Sequence, residues 1–185
     1  MSHNQKKSFQ PLNIAVHTVS DTRTEKNDTS GQALVERLLA AGHHLVDKKI
    51  THDDIFHIRS VVSAWIYRDD VNVVLITGGT GFTVRDNTPQ AVVPLLMKMV
   101  DGFGELFRYI SYTEIGTSTV QSRALAGISN GTLIVCMPGS PNACKTAWDK
   151  ILNEQLDASH RPCNFVEHLI NATQSEVISN CEPRK

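Results

Sequence analysis

The 185-residue sequence predicts a three-layer α/β/α sandwich built on a mostly parallel central sheet. Three observations point there. β-rich runs alternate with helical periodicity from near the start; two later runs are apolar almost throughout, as strands covered on both faces are; and both lead straight into glycine loops that open helices. The apolar fraction of 41% can supply one sizeable core, and no repeat or low-complexity linker divides the chain. The expected organisation is one α/β domain over residues 11–168, between a flexible N-terminal segment 1–10 and a polar tail 169–185.

"LNIAVHTVS" (12–20) is the first strand. "DTSGQALVERLLAAGHH" then sets Leu34, Leu38 and Ala41 on one helical face, with Ser30 as N-cap and Gly42 as stop. "LVDKKI" is a short second strand, and the helix after it stripes Ile55, Ile58, Val62, Trp65 and Ile66. "VNVVLIT" is a buried strand running into "GGTG". Thr88-Pro89 reads as N-cap and first helical residue of a helix through "QAVVPLLMKMV", bent at Pro94. "DGFGE" reads as a connection, followed by a polar-apolar helix and "IGTSTVQSRALAG". Asn130-Gly131 is a turn, "TLIVCM" another buried strand, and "PGSPNACKTAWDKIL" a second glycine loop opening a helix.

Composition excludes several function classes. A net charge of −1 offers no field for nucleic acid or anionic lipid, so an anionic ligand must be held locally. No signal-type leader and no stretch of about 18 apolar residues is present, which predicts a cytoplasmic protein without membrane partners. Cys136, Cys144, Cys163 and Cys181 lack zinc spacing and read as reduced thiols, Cys136 within a core strand. His43, His44 and His52 fall at element ends and read as exposed or capping residues.

Ligands of open α/β sheets sit beyond the carboxyl ends of the strands, where both glycine loops lie. Gly78, Gly79 and Gly81 permit positive φ and close approach of backbone N–H groups to an anion, while Thr77 and Thr80 add hydroxyls; this reads as a phosphate cradle. The Lys-Ser/Thr of a Walker loop is absent, and Val84 stands where a dinucleotide fingerprint needs glycine. Asp86 beside such a loop would repel phosphate unless a hard cation lay between, and Mg²⁺ is bound in that way. Asp53 and Asp54 reach the same edge, each equally readable as the cap of the Trp65 helix.

"SDTRTEKNDTSG", "LITGGTG" with "RDNTPQA", "DGFGELFR", "IGTSTVQSRALAG" and "MPGSPNACKTAW" resemble the MoaB/MogA family of molybdenum cofactor biosynthesis proteins. "QLDASHRPCNFVEHL" is more similar to the MoaB branch, and the likeness spans residues 11–168. The resemblance implies a molybdopterin-binding fold and adenylyl transfer from ATP, or GTP, to the terminal phosphate of molybdopterin, with Mg²⁺ and release of pyrophosphate. Asp53 and Asp86 match the two acids of the catalysing members and would be catalytic and metal-binding; some MoaB-branch members lack the second acid. Thr77, Gly78, Gly79, Thr80 and Gly81 would cradle phosphates. Pro138, Gly139 and Ser140 would line the nucleotide side, with Ser118, Ser122 and Arg123 the candidates for the pterin and its phosphate. The alternative is a non-catalytic oligomeric protein holding molybdopterin or a purine nucleotide. Family members form homotrimers or homohexamers, and the aromatic segment 101–119, with Phe103 and Tyr109, is the expected contact.

Overall fold

Six strands form one sheet: β1 (Asn13–Val19), β2 (His44–Thr51), β3 (Val73–Thr77), β4 (Lys98–Met99), β5 (Leu125–Ser129) and β6 (Thr132–Met137), in the order β2-β1-β3-β6-β5-β4. The computed structural model describes residues 8–170. β2, β1, β3 and β6 are mutually parallel, whereas β5 runs antiparallel to both β6 and β4. The mostly parallel α/β/α sandwich expected from the sequence is therefore the observed fold.

Alternation along the strands builds the two cores. On one side Ile14, Val16, Val73, Leu75, Leu133 and Val135 meet Leu34 and Leu38 of α1 (Thr29–Ala40), Phe103 and Phe107 of α4 (Asp101–Ile115), and Ala147 of α5 (Pro141–Ala147). On the other, Ala15, Val74, Ile76 and Ile134 meet Ile58, Val62 and Trp65 of α2 (Ile55–Tyr67) and Ala91 and Val92 of α3 (Thr88–Val92). β3 and β6, apolar at all but one position, are thus buried on both faces. After α5 the chain widens into a π turn, Trp148–Leu152, and continues through α6 (Asn153–Gln155) to α7 (Val166–Ile170). Leu169 and Ile170 of the expected tail close α7, and the rest of it, with Cys181, lies outside the described residues, as do the first seven. Among the described residues no helix is long and apolar enough to cross a membrane, and Cys136, Cys144 and Cys163 are free thiols.

Several elements differ from expectation. The cap of α1 is Asp28, whose carboxylate accepts from Gly31 N at 2.9 Å, while the Ser30 hydroxyl donates to the Gly139 carbonyl at 2.7 Å. The helix begun at Thr88 stops at Val92: Pro94 falls in a 3₁₀ turn, Val93–Leu95, and the chain then extends into β4 at the sheet edge. Its N-cap is Asn87, and the Thr88 hydroxyl donates instead to the Gly78 carbonyl at 2.8 Å. "DGFGE" is no connection but the first turns of α4. A side chain at Gly104 would press 2.6 Å from the Ala124 carbonyl, so that glycine marks a helix laid directly on the neighbouring chain. β5 escaped the period-2 pattern because "LAGIS" is short and small. It pairs with β6 through a two-residue turn at Asn130 and Gly131, both at positive φ, 48° and 77°. Phe103 is buried in the core rather than offered to a second copy, and His43 is buried with Nδ1 accepting from Leu12 N at 3.1 Å.

His17, on the α2 side of β1, is fully buried against Trp65, with Nε2 2.8 Å from Thr51 Oγ1 and Nδ1 without a partner among the described residues. Burial, then the Lys49 charge, pushes its pKa down to about 4. The folded protein therefore keeps His17 neutral where the unfolded chain takes up a proton near pH 6.5, so stability present at neutral pH is lost as pH falls from about 6.5 toward 4. Unfolding free energy from urea titrations should drop by about 2 kcal/mol between pH 7 and pH 5 on this account. His17→Gln should flatten that segment; an unchanged slope would assign it to other groups.

Candidate functional site

β1, β3 and β6 end at one edge. β1 connects through α1 on one face to β2, and β2 returns through α2 on the other face to β3, so chain direction across the sheet reverses between β1 and β3. Such a reversal opens a crevice beyond the strand ends. Here it is a cavity of about 410 Å³, lined by Thr18 at the end of β1 with Ser20 and Arg23 after it, by Thr77 at the end of β3 with Gly78 to Gly81 and Asp86 after it, and by Pro138 and Gly139 after β6. Ser118, Gln121 and Ser122, from the 3₁₀ turn Gly116–Gln121 and its exit, also line it.

The glycines serve chain crossing first. Gly78 has φ +103°, its N–H donates to the Met137 carbonyl at 3.1 Å, and any Cβ there would strike the Val19 carbonyl. Gly79, at φ +63°, leaves room for the Thr88 hydroxyl and for the Asp53 carboxylate, whose Oδ2 would stand 2.6 Å from an added Cβ. The Thr77 hydroxyl donates to the Pro138 carbonyl at 3.0 Å. Much of the donor set expected for a phosphate cradle is therefore spent joining the three strand ends.

Asp86 faces the cavity. Its Oδ2 accepts from Thr83 N at 2.8 Å, and it lies 2.8 Å from where a Gly81 Cβ would stand. Burial pushes this carboxyl up, but hydrogen bonds from Thr83 and Gly81, helped by the Arg123 charge, outweigh it and hold it below the ordinary carboxylate value. Asp53 is buried behind the same loop and does not line the cavity. It is not the cap of α2; Asp54 is, accepting from Phe56 N and His57 N at 2.9 Å. Asp53 Oδ1 accepts from Asn87 N at 2.9 Å, and its own N–H donates to Asp21 at 3.1 Å. Burial raises the Asp53 pKa, and the charges of Asp86 and Asp21 raise it further against the Asn87 bonds. Arg85 pairs with Asp21 through two bonds, at 3.0 and 2.7 Å, and so ties the β3 loop to the β1 loop.

Thirteen site residues were nominated from sequence: Asp53, Asp86, Thr77, Gly78, Gly79, Thr80, Gly81, Ser118, Ser122, Arg123, Pro138, Gly139 and Ser140. All but Asp53, Arg123 and Ser140 line this cavity. Ser140 caps α5, accepting from Ala143 N at 3.2 Å. Arg123 donates to the Thr80 carbonyl at 3.2 Å and the Asp86 carbonyl at 2.7 Å while resting over the Phe82 ring at 5.1 Å, so it clamps both ends of the loop that carries Asp86. Sequence reasoning passed over Arg23, Ser20 and Gln121. The first two follow a strand's carboxyl end, the rule that had picked the other two loops, but they lack glycine.

The chain matches the family described as "Probable molybdopterin binding domain" over residues 15–158. It is 57% identical over 161 residues to molybdenum cofactor biosynthesis protein B of Escherichia coli (strain K12), covering 87% of this chain and 95% of that one. The chain belongs to the MoaB/MogA family. A crystal structure of a molybdenum cofactor biosynthesis protein B is similar at 40% identity and a TM-score of 0.81, over 90% of this chain and 98% of that one. The tungsten cofactor synthesizing protein MoaB from Pyrococcus furiosus, at 40% identity, aligns over 80% of this chain and 92% of its own with a TM-score of 0.71. Within the MoaB/MogA family this chain is a molybdenum cofactor biosynthesis protein, and the family match runs through all three cavity-forming loops.

Proposed function

We propose that this chain binds molybdopterin and transfers AMP from ATP to its terminal phosphate. Asp86 carries the reading: an ionised carboxylate on the wall of a crevice whose other polar groups, among the described residues, are hydroxyls, backbone, the Gln121 amide and one arginine. The charges of Asp86 and Asp21 both act against that of Asp53, with Arg85 committed to Asp21. Among the described residues no three acids, histidines or cysteines converge as a complete metal cluster, which suits an ion held by one or two carboxylates plus substrate phosphates. Asp86, with Asp53 behind it, would hold Mg²⁺, which when bound neutralises phosphate charge.

A phosphate monoester is largely dianionic at neutral pH, so its oxygen needs no base. That oxygen attacks the α-phosphorus of ATP, a new P–O–P bond forms, the bond from the α-phosphorus to the bridging oxygen breaks, and pyrophosphate leaves. The chain's own task is to bind, align and neutralise two anions. Incubation with molybdopterin, ATP and Mg²⁺ should yield adenylylated molybdopterin and pyrophosphate in equal amounts; absence of both products defeats the reading.

The burial of Asp53 favours one rival, a protein that holds molybdopterin or a purine nucleotide without turnover. Asp53 ionises against a raised pKa, so at neutral pH its charge costs stability, and the cost disappears as pH falls below that pKa. Asp53→Asn should therefore raise the melting temperature while lowering turnover. A more stable variant with parental turnover would leave Asp53 outside the chemistry.

Self-association rests on α4, whose outer face shows Leu106, Tyr109 and Tyr112, with Tyr109 73% exposed. Light scattering at micromolar concentration should give a trimer or hexamer, and Tyr109→Asp should lower the mass. The mass of a single chain would remove this expectation.

A further inference from the structure

Two anionic substrates would enter a cavity that has, among the described residues, a single cationic side chain on its wall. That side chain is Arg23, in the loop after β1. Its neighbours fix the loop: Arg23 N donates to Ser20 Oγ at 3.2 Å, Thr24 N to Asn27 Oδ1 at 2.6 Å, and Arg23 Nη1 to the Asn27 carbonyl at 2.7 Å. Of the other arginines on the loops that form this edge, Arg85 is neutralised by Asp21 through two bonds, and Arg123, outside the cavity lining, is spent on the Thr80 and Asp86 carbonyls. Arg23 lines the cavity, donates to one neutral carbonyl, and forms no ion pair with another described residue. Among the other lining groups Ser118, Gln121 and Ser122 carry no charge, and Asp86 is negative.

An anion entering this crevice is repelled by Asp86 and attracted by Arg23. We propose that Arg23 is a phosphate-binding residue, holding a phosphoryl group of one substrate on the β1 side and leaving the neutral amide and hydroxyl wall at Ser118 to Ser122 for the heterocycle. The planar guanidinium suits two parallel bonds to phosphate oxygens, a geometry lysine cannot copy. This inference rests on the reading of the cavity as a phosphoryl-substrate site, though not on adenylyl transfer.

The test measures binding of ATP and of molybdopterin separately by calorimetry, to the parent, Arg23→Gln, Arg23→Lys and Lys26→Gln. Lys26 is an exposed cation three residues away that does not line this cavity. Arg23→Gln should weaken one ligand by about tenfold or more, the affected ligand naming the source of the phosphate. Arg23→Lys should recover part of the loss, and Lys26→Gln should bind as the parent does. Equal binding by parent and Arg23→Gln overturns the assignment while leaving the transfer reaction standing, as does equal weakening by Lys26→Gln, which would reduce the effect to general charge. Loss of binding in Arg23→Gln from a parent that releases no pyrophosphate would uphold Arg23 and defeat adenylyl transfer. A parent that binds neither ligand overturns both.

Discussion

Asp86→Asn should lower pyrophosphate release by a factor on the order of 10²–10³, the scale on which removal of one preorganised electrostatic group acts, and should leave the fold intact. The carboxylate lies on the cavity wall and, with its pKa below the ordinary value, is charged at neutral pH. Asparagine keeps the shape and one oxygen, which can still accept from Thr83 N where Oδ2 does now at 2.8 Å. The clamp on this loop uses the Asp86 main-chain carbonyl, bonded to Arg123, so the side-chain change does not touch it. What disappears is the charge that would hold a cation against the phosphates. ATP binding measured without Mg²⁺ should persist or tighten, because a repulsive charge has gone, while the Mg²⁺ dependence of turnover is lost. Turnover equal to the parent's would exclude Asp86 from the chemistry; a collapsed melting transition would make its role structural.

The parts of this molecule legible in the sequence are those set by local physics. Alternating helical and strand periods gave the layers, and an unbroken apolar run such as Val73 to Ile76 announced burial on both faces. The three strand-end loops follow from topology, which places most of the nominated site residues on one wall without any knowledge of side-chain direction. Direction is what the sequence hides. Neighbouring acids Asp53 and Asp54 read alike, yet one caps α2 and the other turns inward to Asn87, a partner 34 residues away. Arg123 read as a ligand for phosphate but is occupied by the Thr80 and Asp86 carbonyls, about 40 residues distant. Phe103 shares its helix with exposed Tyr109, and only the packing of α4 on the sheet separates buried from exposed.

Gly78→Ala should destabilise the protein by about 3 kcal/mol or more, a larger loss than any single surface change. Two costs add. At φ +103° an L-residue is strained by itself. The added methyl would also meet the Val19 carbonyl, a backbone group that cannot rotate aside because β1 is held between β2 and β3 by seven and five register pairs. Nor can Gly78 retreat. Its N–H is bonded to Met137 at the end of β6, and Gly139 stands so close that its own Cβ would lie 3.2 Å from Gly78 Cα. The three strand ends that form the cavity thus cross at one residue without a side chain, and relief of the clash must part the ends of β1 and β3 and open the site. Gly102→Ala is the matched control. Gly102 lies in the first turn of α4 with nothing within 4 Å of an added Cβ, so alanine there should stabilise by about 0.5–1 kcal/mol. Urea unfolding of the two variants should therefore move in opposite directions from the parent. A Gly78→Ala protein with the parental midpoint would show that the β1 and β3 ends can part without cost, and the glycine would then owe its place to the ligand instead.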